Sequence, residues 1–470
     1  MNPFLTDADR TAAEQFLFSR IDYERAPAIS YDKRDFKLDR MVRFLARLGN
    51  PHVGMNIVHI AGTKGKGSTA AMIASVLSAA GYRTGLYTSP HLQRVEERLQ
   101  IDGRAILTDD FVGLIERVRP IVGELDATAA EEVPASHGPT YFEILTAMAL
   151  VYFADQRVDW AVLEVGLGGR LDSTNVSAPA VSVITSISFD HTKQLGNTLA
   201  EIAAEKAGII KPGVPVVSGV VQEEPRTIVR QMAAQHGCRL VERTVDFDAT
   251  YRAAKVASGK QHETLHSSSA TMDFGYRVPR REYSLSTVEL SLLGEHQAAN
   301  AAVALAAIEE LRSQGCDIDE PAVRTGLANV QWPARVEVIA ESPTVILDAA
   351  HNVASVLALL KTLRQSFTAR KRALIFATTR DKDSRGMLQL LLPEFDDVIF
   401  TQYQHNPRGV PVQDLEQIAV ELGFDGCLMD STPAGAWRLA RERAAPEDMI
   451  VITGSFFIAA ELGAIVRNST

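Results

Sequence analysis

Three cysteines in 470 residues, Cys238, Cys316 and Cys427, lie too far apart for a CxxC pair or a zinc-ligand spacing. They read as ordinary thiols of a reducing compartment. No run of about 18 uninterrupted apolar residues occurs, which predicts no membrane span. The opening MNPFLTDADR has early acidic residues and no long apolar stretch. No signal peptide is expected there, and the cytoplasm is the default location. Positive charge is also in deficit: 48 Lys and Arg against 58 Asp and Glu give a net charge of −10. That argues against nonspecific nucleic-acid binding and means that local basic groups must meet any anionic substrate. No repeat of solenoid period is present.

Hydrophobic residues make up 46% and charged residues 23%, the composition of a globular enzyme with a large core. The length suggests two or three domains. Short apolar strands alternate with amphipathic helices, which favours an α/β fold with a parallel sheet. A strand near 56–60 leads through a glycine-rich turn into a helix near 68–80. There Met72, Ile73, Val76, Leu77 and Ala80 are expected to share one face. Strands are expected near 83–88, 160–165, 181–187 and 214–220. Helices are expected near 141–154 and from Thr198, with Glu201 completing a capping box, to about Gly208. Residues 244–290 lose this rhythm and read as an irregular or β-rich excursion, and a helix near 298–314 restores order. After Trp332-Pro333 a second series follows, with strands near 345–347, 373–377, 398–401 and 449–453 and helices near 354–365, 413–422 and 434–444. The expected fold is α/β. An N-terminal P-loop-containing parallel-sheet ATPase domain (1–331) is followed by a smaller C-terminal Rossmann-like doubly wound domain (332–470). A cleft between two such domains is a common ligand site.

The chemistry begins at Gly62-Thr63-Lys64-Gly65-Lys66-Gly67-Ser68-Thr69. Glycines there let backbone N–H groups approach a phosphate, and the following helix N-terminus favours negative charge. Lys66 can reach the β- and γ-phosphates, and Ser68 or Thr69 can hold Mg2+ or a phosphate oxygen. The match to G-x-x-x-x-G-K-[ST] is displaced: Ala61 stands at the first glycine and Gly67 at the Ser/Thr place. Glu164, Asp190 and His191 each follow a strand, so a parallel sheet puts them at the edge where ligands bind. Alone, Glu164 reads as readily as a helix cap or surface ion pair as it does as a ligand, and His191 as readily as a turn residue or capped core histidine. Beside a phosphate loop they favour a metal site. Lys206 reads as a solvated helix lysine, and periodicity gives no reason to single it out.

Eight runs occur in order: His59–Thr69, Tyr87–Leu92, Glu164–Asn175, Asp190–Thr192, Glu205–Lys211, His296–Asn300, Trp332–Arg335 and Leu347–Asn352. Together the chain resembles the folylpolyglutamate synthase and dihydrofolate synthase family, within the wider Mur-ligase-like group. The resemblance implies an ATP-dependent amide ligase that joins L-glutamate to a folate or to dihydropteroate. Lys66 and its loop would hold ATP. Ser89 and Glu164 would help hold one Mg2+, and Glu164 and His191 a second. Lys206 matches the family's carbamylated lysine. Asn300, Arg335, Asp348 and His351 would contact the nucleotide. From the residues alone, Asn300 reads as a polar helix residue, Arg335 as a linker ion pair, and Asp348 and His351 as helix caps. Lys64 stands where many bacterial members have Asn, Ala349 replaces a frequent Gly, and 244–290 has no counterpart. A monomer is expected. The rival readings are another Mur-like amide ligase or a nucleotide-binding regulatory protein without ligase activity.

Overall fold

Five buried residues, Ile57–Ala61, form β1, the strand from which the phosphate loop emerges. The computed structural model describes residues 6–22, 38–131, 137–257, 269–279, 281–404 and 406–469. The chain divides into two compact units. The first comprises Met1–Asp248, Phe274–Ser284 and Ala299–Leu327, and the second Ala249–Asp273, Leu285–Ala298 and Ala328–Thr470.

The first unit is built on an eight-stranded sheet. Its strands are β1, β2 (Thr84–Tyr87), β3 (Leu99–Ile101), β4 (Arg104–Ala105), β5 (Trp160–Glu164), β6 (Val181–Ile184), β7 (Val216–Ser218) and β8 (Leu240–Glu242), in the order β4-β3-β2-β5-β1-β6-β7-β8. The six strands from β2 to β8 in that order run parallel, while β3 and β4 pair antiparallel at one edge. Helices α1 (Asp7–Phe18) and α2 (Leu38–Arg47) precede β1, and α3 (Lys66–Ala79) follows it. Next come α4 (Thr108–Glu131), α5 (Tyr141–Asp155), α6 (Thr192–Leu195), α7 (Leu199–Ala207) and α8 (Glu223–Gln235).

Residues of α2, α4 and α5 pack with Ile57, Ala161 and Leu163 of the sheet in one cluster, and α7 and α8 pack with Ile184 and Val216 in another. In the parallel register Ile57 pairs with Ala161 and Ala61 with Ile184. These residues therefore share a face, and the alternate residues Val58, Ile60 and Val162 are buried on the opposite one. The helix expected to bury one stripe does more. In α3 every residue from Ser68 to Ala74, with Val76 and Leu77, is buried, so the helix is enclosed all round. Gly326 packs so tightly on it that a Cβ would lie 2.6 Å from Val76 Cα.

The excursion after residue 244 is β-rich. It contains β9 (Phe247–Arg252), β10 (Val256–Ala257), β11 (Ala270–Val278) and β12 (Arg281–Leu290), and three of these form a sheet in the order β12-β11-β9. Residues 258–268 of the excursion lie outside the described residues. Along β11 the alternate residues Ala270, Met272, Phe274, Tyr276 and Val278 are buried. Helices α9 (Glu295–Ser313) and α10 (Glu320–Ala328) follow. Within the first unit, Tyr276 Oη donates to Glu310 Oε1 at 2.5 Å, Arg239 lies 3.3 Å from the same oxygen, and Arg281 pairs with Glu309 at 2.7 Å. These contacts tie β11, β12 and the residue before β8 to α9.

The second unit carries β13 (Glu337–Glu341), β14 (Thr344–Leu347), β15 (Phe367–Thr368), β16 (Arg372–Phe376), β17 (Asp397–Phe400), β18 (Leu428–Met429) and β19 (Met449–Thr453). Six of them form a sheet in the order β13-β14-β19-β16-β17-β18, parallel apart from β13, and β15 pairs with β10. Its helices are α11 (Val353–Ser366), α12 (Ser384–Leu391), α13 (Val412–Glu421), α14 (Pro433–Arg443) and α15 (Phe456–Arg467). Residues of α11, α12 and α13 meet Leu374, Phe376, Val398, Phe400 and Val451 on one face. The alternate residues Ile375, Ile399, Ile450 and Ile452 are buried on the other, with α14 and α15 against these strands. This is the doubly wound arrangement that the alternating pattern predicted.

No helix among the described residues is long and apolar enough to cross a membrane.

Candidate functional site

The phosphate loop runs from β1 into α3, and two of its glycines are demanded by close approach. Gly62 has φ +151, and a Cβ there would lie 1.9 Å from Thr185 Oγ1. Gly65, the N-cap of α3, has φ +83, and its Cβ would lie 2.2 Å from Asn300 Oδ1. Only glycine fits both requirements. Asn300 is thus seated against the loop. Gly65 offers no capping side chain to the first N–H groups of α3, and such a helix start favours negative charge.

The segment after β6 clamps the loop. Thr63 N donates to Ser186 O at 2.7 Å, Lys64 N to Ser186 Oγ at 3.1 Å, and Thr185 Oγ1 to Lys64 O at 2.7 Å. The Lys64 ammonium pairs with Asp190 Oδ2 at 2.6 Å.

Glu164 ends β5, on one flank of β1, and Asp190 and His191 follow β6, on the other. The three strand ends share one sheet edge, as parallel order dictates. Glu164 is buried at 4% exposure and its Oε2 accepts the Ser89 N–H at 3.1 Å, so Ser89 and Glu164 are brought together. His191 is half-exposed, adopts φ 48 at the start of α6, and lies 3.8 Å from Asp190 Oδ1. Among the described residues no three His, Cys, Asp or Glu side chains group as a metal cluster. A cation here would complete its shell with hydroxyl, phosphate and water oxygens, as Mg2+ ordinarily does. The buried carboxylate of Glu164 is a hard oxygen donor suited to it.

Lys206 differs most from its sequence reading. The capping box Thr198/Glu201 starts α7 as expected, and the helix ends at Gly208. Lys206 is not solvated: it is 4% exposed, and its Nζ donates to Gly62 O at 2.9 Å. Burial, reinforced by the Lys66 and Lys64 cations, lowers its pKa to about 7, with Asp190 and Asp172 opposing. A large fraction of this amine is therefore neutral near pH 7.

Sequence reasoning passed over the network that holds Lys206 in place. The turn from Gly166 to Asn175 packs backbone to backbone on the end of α7. A Cβ on Gly169 would lie 2.9 Å from Glu205 O and Lys206 O, and one on Gly208 would lie 2.3 Å from Arg170 Cβ. Asn175 Nδ2 donates to Arg170 O and Gly208 O, both at 3.0 Å, and Lys211 Nζ donates to Asn175 O at 2.8 Å. Asp172 organises the turn by accepting from Leu167 N, Thr174 N and Thr174 Oγ1. Burial pushes its carboxyl pKa up, while hydrogen bonds from Thr174 and Leu167 pull it down. The glycines of the Gly166–Asn175 run were the available signal; the burial of Asp172 was not readable from the sequence.

In the second unit Asp348 is buried and does not cap α11, since Asn352 fills that place. Asp348 instead accepts from Val336 N at 3.0 Å and Ala350 N at 2.8 Å. Burial raises its pKa, and nearby Arg335 lowers it. Arg335 lies over the Phe456 ring at 4.8 Å, and the His351 ring is 5.7 Å from the same ring. Two sequence candidates, Arg335 and His351, thus meet Phe456, an aromatic residue that no motif flagged, and Asp348 feels the charge of Arg335.

Residues 60–308 match the Mur ligase middle domain, and residues 334–456 match the family described as Mur ligase, glutamate ligase domain. A Bacillus subtilis dihydrofolate synthase/folylpolyglutamate synthase is 35% identical over 427 residues, covering 90% of this chain and 94% of the relative. A Mycobacterium tuberculosis folylpolyglutamate synthase solved with ADP and AMPPCP superposes with a TM-score of 0.83 at 34% identity, covering 98% of each chain. An Escherichia coli structure in complex with DHPP and ADP gives a TM-score of 0.77 at 30% identity, covering 97% of this chain and 98% of the other.

Proposed function

The chain belongs to the folylpolyglutamate synthase and dihydrofolate synthase family of Mur-like ligases, and from that membership we propose how its site joins L-glutamate to a folate or to dihydropteroate. The protein is an ATP-dependent ligase. The observation that carries the site reading is the buried Lys206 amine on the carbonyl of the phosphate loop, between Glu164 on one side and Asp190–His191 on the other.

A pterin-linked carboxylate oxygen attacks the γ-phosphorus of ATP, and ADP leaves. The resulting acyl phosphate is attacked at carbon by the glutamate amine. Phosphate departs with the C–O bond electrons, the amine loses a proton, and the amide remains. A free carboxylate is a poor acylating agent, so phosphorylation supplies the leaving group.

The chain's task is positioning and charge neutralisation. The free N–H groups of α3 and the Lys66 ammonium hold the phosphates and offset charge on the transferring group. Gly62 to Thr69 cradle them, with Asn300 against Gly65. Ser89, Glu164 and His191 are the residues that would hold Mg2+ at two positions. Bound there, Mg2+ would neutralise phosphate oxygens. Lys206 is poised for carbamylation: its neutral amine takes up CO2 and releases a proton, turning a cation into an anion beside this metal-binding edge. For Arg335, Asp348 and His351 the nucleotide role rests on the resemblance, with Arg335 and His351 both against Phe456. The two matched families, at 60–308 and 334–456, support reading 1–331 as the ATP-binding part and 332–470 as the ligase part. A cytoplasmic monomer is the working reading, to be checked by fractionation and sedimentation.

The deciding experiment measures ADP release by the purified protein with dihydropteroate and with reduced folates, each with and without L-glutamate. Glutamate-dependent release with at least one pterin is expected. ADP release that ignores glutamate would sink the reading.

A further inference from the structure

His59 is the one polar residue of β1. It is fully buried, and burial, with help from the Lys211 cation, lowers its pKa to about 3. The imidazole is therefore neutral and carries one N–H. Its Nε2 lies 2.8 Å from Thr174 Oγ1, whose own proton goes to Asp172 Oδ1 at 2.6 Å. Towards His59 the threonine oxygen therefore accepts, and Nε2 donates. The opposite tautomer would bury an N–H on Nδ1, which has no hydrogen-bond partner among the described residues. Buried orphan N–H groups are rarer than orphan acceptors.

The contact closes a mechanical ring. From β1 it passes through His59 to Thr174 and Asp172, and on through the Gly166–Asn175 turn. The turn packs on the end of α7, where Lys206 returns to Gly62, three residues after His59. An apolar residue would fill the same space and remove this side-chain link, leaving β1 joined to the start of the turn by the Val165 N–H, which donates to Ile60 O at 2.9 Å.

We propose that His59 is a positioning residue for phosphoryl transfer: by donating from Nε2 to Thr174 it fixes the Lys206-bearing end of α7 against the phosphate loop. The kinetic part of this proposal rests on the ligase reading above.

The test pairs kinetics with a direct view of the ring. His59→Leu and Thr174→Val each lower kcat for ADP release about 10- to 100-fold, the scale of a small misplacement in a preorganised site. KM for ATP and the far-UV circular dichroism stay close to wild type. The double variant is no slower than the slower single variant, because both cut the same link. His59→Gln, which keeps a donor at the reach of Nε2, restores most of the lost rate, and His59→Asn does not. Nitrogen-15 shifts of the wild-type ring report the Nε2–H tautomer. Wild-type kcat in folded His59→Leu, independent losses in the double variant, or an Nδ1–H tautomer each overturns the proposal. If His59→Leu does not fold, Thr174→Val and the tautomer still decide. A wild-type protein that releases no ADP with any pterin sinks the ligase reading instead. The tautomer then decides alone whether His59 ties β1 to the turn.

Discussion

The amine of Lys206 and the carbonyl of Gly62 meet at 2.9 Å across 144 residues of chain. The contact joins the end of a helix to the first residue of the phosphate loop. It also puts a lysine whose pKa is lowered to about 7 among Lys66, Lys64, Asp190 and Asp172. Lys206→Ala should therefore cost turnover heavily, by about 10²-fold or more, while the fold persists. Steady-state ADP release with intact circular dichroism is the check, and an unchanged rate would remove Lys206 from the mechanism.

The same shift sets a pH dependence. Carbamylation needs the neutral amine, so with limiting bicarbonate its extent should rise as pH rises through about 7 and then level off. For stability, the folded pKa is depressed below the ordinary lysine value of 10.5. The unfolded chain then binds more protons over that interval, so this group's contribution improves from about 7 upward and is lost as pH falls through about 7. Carbon-13 spectra of protein in labelled bicarbonate report the carbamate directly. Because Lys66 is the largest charge lowering this pKa, Lys66→Ala should move the rise to higher pH.

Gly65→Ala should abolish nucleotide binding. Alanine in the left-handed region costs roughly 1–2 kcal/mol, and its Cβ would overlap Asn300 Oδ1 as well. Calorimetric titration with ADP measures the loss. Adding Asn300→Gly removes the overlap but also the proposed nucleotide contact and leaves the strain, so it should not restore the affinity.

Lys64→Asn should leave the protein nearly as stable as before. The Lys64–Asp190 pair is partly exposed, with side-chain exposures of 33% and 19%, and such pairs contribute at most about 1 kcal/mol. Urea unfolding checks this. A large loss would mean that the pair holds the loop more firmly than its exposure implies.

Tyr276→Phe should destabilise the protein by about 1–3 kcal/mol without lowering kcat. The hydroxyl is buried and donates to the fully buried Glu310. Its removal leaves that carboxylate oxygen short of a donor, far along α9 from Asn300. Denaturant midpoints and turnover together separate the two effects.

Much of the catalytic unit was legible because its signals are local. The apolar run into β1, the glycines after it, the capping box at Thr198 and the polar ends of β5 and β6 each declare themselves within a few residues. The second sheet was legible for the same reason. Depth was not legible: Lys206 sits in an ordinary helical segment, and only the fold reveals the carbonyl above it. The enclosure of α3 was hidden too, because its small residues Ala70, Ala71 and Ala74 carry little hydrophobic signal yet allow close packing. Helix α4 went unrecognised, with Pro120 inside it and many charged residues along it. Phe456 belongs to no motif, and His59 opens the run His59–Thr69 without a chemical role of its own; both acquire meaning only from their neighbours.

The burial of α3 on every side has a kinetic corollary. A rod gripped by the sheet beneath it and by Gly326 against its flank cannot swing out to shed a spent nucleotide. With the proposed nucleotide loop mounted on so firmly held a base, loading and unloading would fall to other segments.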